Sequence, residues 1–229
     1  MILLDIGNTH TRIAESRNGA VEILRTVPTA ELDAEMIPPD EKTAAASVVP
    51  WAAKRLQGRR IDYIGADNCR ELIDFSPVDA RTLGADRVAN AVAAAEYYPL
   101  PALVADCGSA ITFELIDDRR RFLGGAILPG RALMRAALNA GTAQLPEVPL
   151  GDTPPERPGI NTVEAIRFGV DGGAIGMVRE VCRRLTSALE PRSIILAGGD
   201  AAFFAPHFPE WRLAAPEFTL QGIRLAAGG

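Results

Sequence analysis

Lysine is almost missing from this chain. Only Lys42 and Lys54 stand among its 24 basic residues, so an anion must be met by arginine, by backbone N–H groups or by a metal. Histidine is equally scarce. His10 and His207 lie far apart without metal-ligand spacing, and a Ser-His-Asp triad finds no convergent neighbours. Cys69, Cys107 and Cys182 are too few and too scattered for a disulfide framework or a zinc site. No apolar run reaches the ~18 residues that a membrane span requires. Met1 enters a strand pattern with no basic n-region before it, so no membrane partner and a cytoplasmic location are expected. Basic excess is lacking too: the net charge of -5 argues against a surface that neutralises nucleic-acid phosphates. Neither GxxxxGK followed by Ser or Thr nor GxGxxG occurs, which excludes the common P-loop and Rossmann readings.

What is present fits an ordinary globular protein, with 48% hydrophobic and 23% charged residues. At 229 residues the chain can form one large domain or two lobes of about 100 residues each. Hydrophobic patterning predicts strands at 1–6, 10–16 and 20–26, with Asn18-Gly19 as the hairpin turn between the last two. A short helix is predicted at 29–36, strands at 43–50 and 61–66, and a helix over 83–98. Strands follow at 103–117 and 121–130, then helices at 130–140 and 161–189, the second broken near Gly172-Gly173. The stretch 146–159 reads as a surface loop. A strand at 193–199 and a helix at 219–227 close the pattern. The alanine-rich face of 89–95 and the apolar positions of 163–189 read as helix packing, some of it at a dimer interface.

One motif occurs twice. Asp5-Ile6-Gly7-Asn8-Thr9 and Asp106-Cys107-Gly108-Ser109-Ala110 each close an apolar strand and open a hairpin, about half a chain apart. Glycine there permits positive φ and close approach, while exposed N–H groups and neighbouring hydroxyls can hold phosphate oxygens without lysine. A carboxylate at the strand end would repel that phosphate unless a cation sat between them, which points to Mg²⁺ at Asp5. The duplication predicts an α/β fold of two related lobes with a cleft between them. The simpler reading is a pair of turns with Asp and Asn as turn formers.

With these pieces in order, the chain resembles the type III pantothenate kinases of the actin, hexokinase and Hsp70 superfamily, whose core is ribonuclease H-like. The resemblance rests on DIGNTHTR (5–12), SVVP (47–50), LGADR (83–87), DCGSAIT (106–112), GGAILPG (124–130), TAQLP (142–146), NTVEAIRFG (161–169) and AGGDA (197–201). It implies ATP-dependent phosphorylation of pantothenate, the first step of coenzyme A synthesis, by a cytoplasmic homodimer that uses Mg²⁺ and a monovalent cation, K⁺ or NH4⁺. It implies an N-terminal lobe over 1–100 and a C-terminal lobe over 101–229, with the final helix able to pack back on the first.

The resemblance also implies roles for residues. Asp5, Ile6, Gly7, Asn8, Thr9, His10, Thr11 and Arg12 would contact ATP, as would Ser109. Gly84, Ala85, Asp86, Arg87 and Thr162 would contact pantothenate, with Asp86 as the base, and Asp106 would hold the monovalent cation. A carboxylate base suits the chemistry, because a primary alcohol must lose its proton as the bond to phosphorus forms. On local sequence alone, Asp86-Arg87 also reads as a helix-start carboxylate beside a surface arginine. The chain departs from the family pattern at Pro77, Ser109, Glu114 and Ala197. A kinase of another small molecule, and a non-catalytic regulatory accessory protein, are the alternative readings.

Overall fold

A computed structural model describes the whole chain, residues 1–229. Strand β1 (Ile2–Ile6) is buried along nearly its whole length and forms the spine of the first sheet. On one side β2 (His10–Arg17) pairs antiparallel with it, followed by β3 (Ala20–Pro28). On the other side β4 (Thr43–Ser47) and β5 (Ile61–Tyr63) add in parallel, giving the order β3-β2-β1-β4-β5. Asn18 and Gly19 both adopt positive φ, as a tight hairpin between twisted strands demands.

The second half repeats this plan. Strand β6 (Ala102–Cys107) is the spine; β7 (Ala110–Ile116) and β8 (Phe122–Pro129) return antiparallel on one side. Strands β9 (Ser193–Ala197) and β10 (Arg212–Leu213) lie parallel on the other, giving β10-β9-β6-β7-β8. Strand for strand, β6 stands where β1 stands. The two Asp-x-Gly motifs therefore end equivalent strands, and the fold is α/β with two related five-stranded sheets.

Helices α2 (Ala85–Tyr97) and α6 (Phe218–Ala226) fill the space between the sheets. One apolar cluster joins Leu3 and Ala44 of the first sheet, Val104 and Ile195 of the second, Val92 of α2 and Ile223 of α6. The alanine face of α2 lets the helices approach closely: a Cβ on Gly222 would overlap the Ala89 carbonyl. Helix α6 also packs on β1 and β4. The outer face of the first sheet is covered by Leu32, Ile37 and Leu56, the last beside the short α1 (Ala52–Arg55). The outer face of the second sheet is covered by α4 (Thr162–Leu185) and the short α5 (Ala201–Phe204), through residues such as Val178 and Phe204. Helix α3 (Arg131–Ala140) follows β8 directly.

Three expectations are corrected. The stretch 29–36 forms two separate 3-10 turns, Thr29–Glu31 and Ala34–Met36, because Leu32 and Ile37 both plug the core and Asp33 caps the second turn at Glu35 N–H. Helix α4 runs unbroken through Gly172-Gly173; these glycines face open space while Val170, Ala174 and Val178 hold the opposite face. Strand β9 stops at Ala197, where Gly198 turns the chain with φ of 91°.

Candidate active site

A cleft of about 440 Å³ opens where β1 and β6 end. From the first half it takes the side chains of Asp5, Asn8, Thr9, His10 and Arg12; from the second it takes Asp106, Ser109 and Thr112. Gly7, Gly108, Gly198 and Gly199 supply backbone, and Asp86 reaches in from the first turn of α2. Gly7 N–H donates to the His10 carbonyl at 3.1 Å and Gly108 N–H to that of Ala110 at 3.0 Å, so the first loop is one residue longer. The two loops touch: the Thr9 and Ser109 hydroxyls lie 2.8 Å apart. Gly7 does not use positive φ, contrary to the sequence expectation. Its value is space, since a Cβ would stand 3.1 Å from the His10 carbonyl oxygen.

Strand alternation divides the stretch 5–12 between two faces. Ile6 turns into the outer core, and Thr11 is buried with its hydroxyl 3.0 Å from that of Thr29. Neither side chain reaches the cleft. Gly84 and Ala85 stand just outside its lining, as the cap and first residue of α2. The cap is tight, for a Cβ on Gly84 would lie 2.6 Å from Asp86 Oδ1.

Arg87 also points away from the cleft lining. Its Nε donates to Glu114 Oε1 at 2.9 Å and its Nη2 to the Phe113 carbonyl at 2.8 Å. Gly125 makes this possible, because a Cβ there would overlap Phe113 and stand 2.8 Å from Arg87 Nη2. Glu114, fully buried, is thus the anchor of Arg87. Thr162 is not brought to this cleft. It begins α4 and lines a separate apolar groove of about 960 Å³ between α3 and α4, with Leu133, Leu138 and Ile166.

Charge in the cleft is unevenly balanced. Asp5 accepts from Arg12 Nε at 2.9 Å across the β1–β2 pair, and Arg12 Nη1 donates to the Pro216 carbonyl at 2.7 Å. Burial pushes the Asp86 carboxyl up to about 6, against a 2.8 Å hydrogen bond from Arg87 N–H; the negative charges of Asp106 and Asp5 push the same way as burial. Burial also raises Asp106, opposed by a hydrogen bond from Asn90. Glu114 is pushed up to about 8 by burial, with Arg87 opposing. The Cys107 thiol, deep in the core, is raised well above its ordinary value, so it is a packing residue and no nucleophile.

Three carboxylates therefore converge on a cleft bordered by two glycine loops and by the Thr9 and Ser109 hydroxyls. That donor set fits a cation shared with a bound polyphosphate. No three His, Cys, Asp or Glu side chains are grouped to cage a metal by themselves, so ligand oxygens would have to complete its shell.

The paired hairpins, the cleft where the two spine strands end and the recessed carboxylate define a protein of the actin and hexokinase type of fold. The solved structures agree on the fold. A Campylobacter jejuni protein described as a putative Baf family transcriptional activator superposes with a TM-score of 0.67 at 21% identity, covering 100% of this chain and 98% of its own. A glucokinase from Balamuthia mandrillaris does so with a TM-score of 0.52 at 10% identity, covering 100% and 93%. Sequence narrows the class. Residues 1–184 match the family model for type III pantothenate kinase. The type III pantothenate kinase of Moorella thermoacetica is 39% identical, over 98% of this chain and 97% of its own. That of Akkermansia muciniphila is 36% identical, over 99% and 98%. The chain belongs to the type III pantothenate kinase family.

Some residues around the cleft escaped the sequence reading. Asn90 of α2 donates to Asp106, and Thr219 of α6 donates to Asn90. Arg131, at the start of α3, clamps Asp200 through Nε–Oδ2 and Nη2–Oδ1 bonds of 2.8 and 2.6 Å, behind the Gly198-Gly199 backbone. The same guanidinium and Arg135 share Asp171, and they also bind the Gly151 and Pro149 carbonyls, so the 146–159 loop is tied down. The available signal was polarity at core-facing helix positions, which periodicity alone files as a break in the apolar stripe.

Proposed function

We propose that this protein transfers the γ-phosphoryl group of ATP to the terminal hydroxyl of pantothenate, giving 4'-phosphopantothenate in the first step of coenzyme A synthesis. One observation carries the reading beyond family membership: Asp86 opens into the same cleft as both glycine hairpins. Phosphoryl transfer needs little covalent chemistry from the protein. It needs positioning, charge stabilisation and somewhere for the alcohol's proton to go. Asp86 at about 6 is mostly ionised near neutrality yet basic enough to accept that proton as the oxygen–phosphorus bond forms. The N–H groups of the Gly7 and Gly108 loops, with the Thr9 and Ser109 hydroxyls, hold phosphate oxygens. Arg12 is the one arginine or lysine that lines the cleft.

Mg²⁺ held by Asp5 and the nucleotide, and a monovalent cation at Asp106, either K⁺ or NH4⁺, complete the assignment. When bound, these ions neutralise the phosphates that would otherwise face Asp5, Asp86 and Asp106. Residues 1–100 supply the first hairpin and the base, and residues 101–229 the second hairpin and the cation carboxylate, with α6 closing back on the first sheet.

The groove between α3 and α4, with Leu133 51% and Phe168 42% exposed nearby, suits a homodimer contact. Thr162 lies on that face, outside its own cleft, so its contact with pantothenate would require a second copy. No helix is long and apolar enough to cross a membrane. A cytoplasmic enzyme with no nucleic-acid partner fits that and the net charge of -5.

The test is ATP turnover with pantothenate set against a panel of small polyols and sugars. Turnover confined to pantothenate is expected. Preference for another alcohol would move the chain to a different substrate, and Pro77 would then be the first position to examine. No turnover with any alcohol, from a protein that binds ATP, would favour the accessory-protein reading.

A further inference from the structure

Asp106 is not held by its own turn. Its Oδ2 accepts from Asn90 Nδ2 at 2.7 Å, and Asn90 Oδ1 accepts from Thr219 Oγ1 at 2.9 Å. Asn90 is fully buried in an otherwise alanine-lined face of α2, and Thr219 is buried at the start of α6. On its other side the carboxylate abuts Gly198, where a Cβ would overlap Oδ1. Every polar atom of the Asn90 side chain that these contacts use has one assigned partner. The chain of bonds fixes which way the amide points: nitrogen to Asp106, oxygen to Thr219.

We infer that Asn90 and Thr219 are positioning residues for the phosphoryl-transfer site, setting the orientation of the Asp106 carboxylate in the cleft. A carboxylate with one oxygen pinned by a neutral donor keeps its charge and presents its other oxygen in a fixed direction. An apolar replacement at position 90 would leave Asp106 buried, turned at will and harder to ionise. The relay also joins three elements. Strand β6 belongs to the second sheet, α2 leads into it, and α6 packs on the first sheet. Seating of the last helix is thereby felt at a carboxylate in the cleft, and Gly222 against Ala89 sets how close that helix comes. The inference rests on Asp106 acting in the site.

The experiment compares Asn90→Ala, Thr219→Val, Thr219→Ser and Asp106→Asn in the full-length enzyme. Initial rates, potassium titrations at fixed ionic strength and melting temperatures with and without potassium are measured. Asn90→Ala is expected to lower kcat about 10- to 100-fold, the usual effect of losing an outer partner of a site ligand, and to weaken the potassium response of both rate and melting temperature. Thr219→Val should move the same quantities by a smaller factor, and Thr219→Ser should restore them. If Asn90→Ala does not fold, the Thr219 pair decides alone. Thr219 variants that lose stability yet keep wild-type kcat and potassium response would overturn the inference. So would a fully active Asp106→Asn enzyme, which would also remove Asp106 from the proposed function; an impaired Asp106→Asn beside unaffected relay variants would sink the relay only.

Discussion

Thr9 and Ser109 meet hydroxyl to hydroxyl at 2.8 Å across the cleft, although 100 residues separate them in the chain. Each sits in the loop after a spine strand, and each lines the same cavity. One hydroxyl donates its single proton to the other, so only the accepting hydroxyl keeps a proton for a third oxygen. A phosphate entering between the glycine loops takes a hydrogen bond from that hydroxyl directly, and from both once the Thr9–Ser109 bond opens, with no backbone bond broken.

Ser109→Ala and Thr9→Val are each therefore expected to raise KM for ATP about tenfold, the usual worth of one hydrogen bond to a charged group, with a smaller change in KM for pantothenate. Steady-state kinetics with each substrate varied in turn reads this directly. An unchanged ATP KM in both variants would mean that the polyphosphate does not lie between the loops.

Much of this site could be read from the chain because its logic is local. Asp5 and Asp106 each end an apolar strand, and Gly7 and Gly108 each follow two residues later. A spacing that short survives folding unchanged, so the duplicated motif announced two equivalent strands before any sheet was seen. Alternation even allowed Ile6 and Thr11 to be separated from Asp5 and Arg12, had period 2 been applied inside the motif. What could not be read depends on distant partners. Arg87 looks like a free cation beside the base until Glu114, across the sheet, takes its guanidinium. Asn90 looks like a flaw in an alanine stripe until Asp106 and Thr219 flank it. Thr162 sits in a motif shared with the family, yet the fold carries it to another groove.

Asp86 links catalysis to stability. Its carboxyl is raised to about 6 from an ordinary value of 3.8, so the folded protein holds that proton more tightly than the unfolded chain does. Its contribution to stability is therefore full below about pH 4 and is lost as pH rises through about 6. Asp86→Asn removes that loss while keeping an acceptor for Arg87 N–H. The variant is expected to melt a few degrees above wild type at pH 7.5, reflecting about 1–2 kcal/mol after allowance for partial exposure. It should turn over 10²- to 10⁴-fold more slowly, roughly the value of a positioned base. Wild-type kcat/KM should climb between about pH 5 and 7 as Asp86 ionises. Thermal unfolding and a pH–rate profile check both halves; a slower but less stable variant would contradict the burial argument.

The Arg87–Glu114 pair gives a different signature. Glu114 is buried, and its Oε2 has no hydrogen-bond partner. Removing the carboxylate altogether strands a half-buried guanidinium, so Glu114→Ala should destabilise the protein by about 3 kcal/mol. Glu114→Gln keeps an oxygen for Arg87 Nε without burying a charge, and should be far milder. Gly125→Ala drives a methyl group into the Phe113 backbone and the Arg87 guanidinium, and is expected to destabilise the β7–β8 pairing at least as much as Glu114→Ala destabilises the protein. Urea unfolding ranks all three. Equal destabilisation by Ala and Gln at position 114 would show that the charge itself, not packing or a hydrogen-bonding oxygen, is what Glu114 provides.

The cation assignment at Asp106 makes the sharpest demand on solution conditions. This carboxylate mirrors Asp5, yet transfer to a neutral alcohol gives no evident work for a second Mg²⁺. A large, loosely hydrated monovalent ion tolerates irregular oxygen ligands and offsets repulsion between Asp106 and the phosphates. With Mg²⁺ and ionic strength held fixed, exchanging sodium for potassium or ammonium is expected to raise kcat strongly. Asp106→Ala should lose that dependence together with most of the activity, and ATP should stabilise it less on heating than it stabilises wild type. The competing account makes Asp106 a structural acceptor for Asn90 and nothing more. That account predicts equal rates in sodium and potassium, and an Asp106→Ala enzyme that melts lower but still turns over. Because Asn90 is neutral, the negative charge of Asp106 has no protein cation bonded to it. The potassium response therefore measures whether that charge is used.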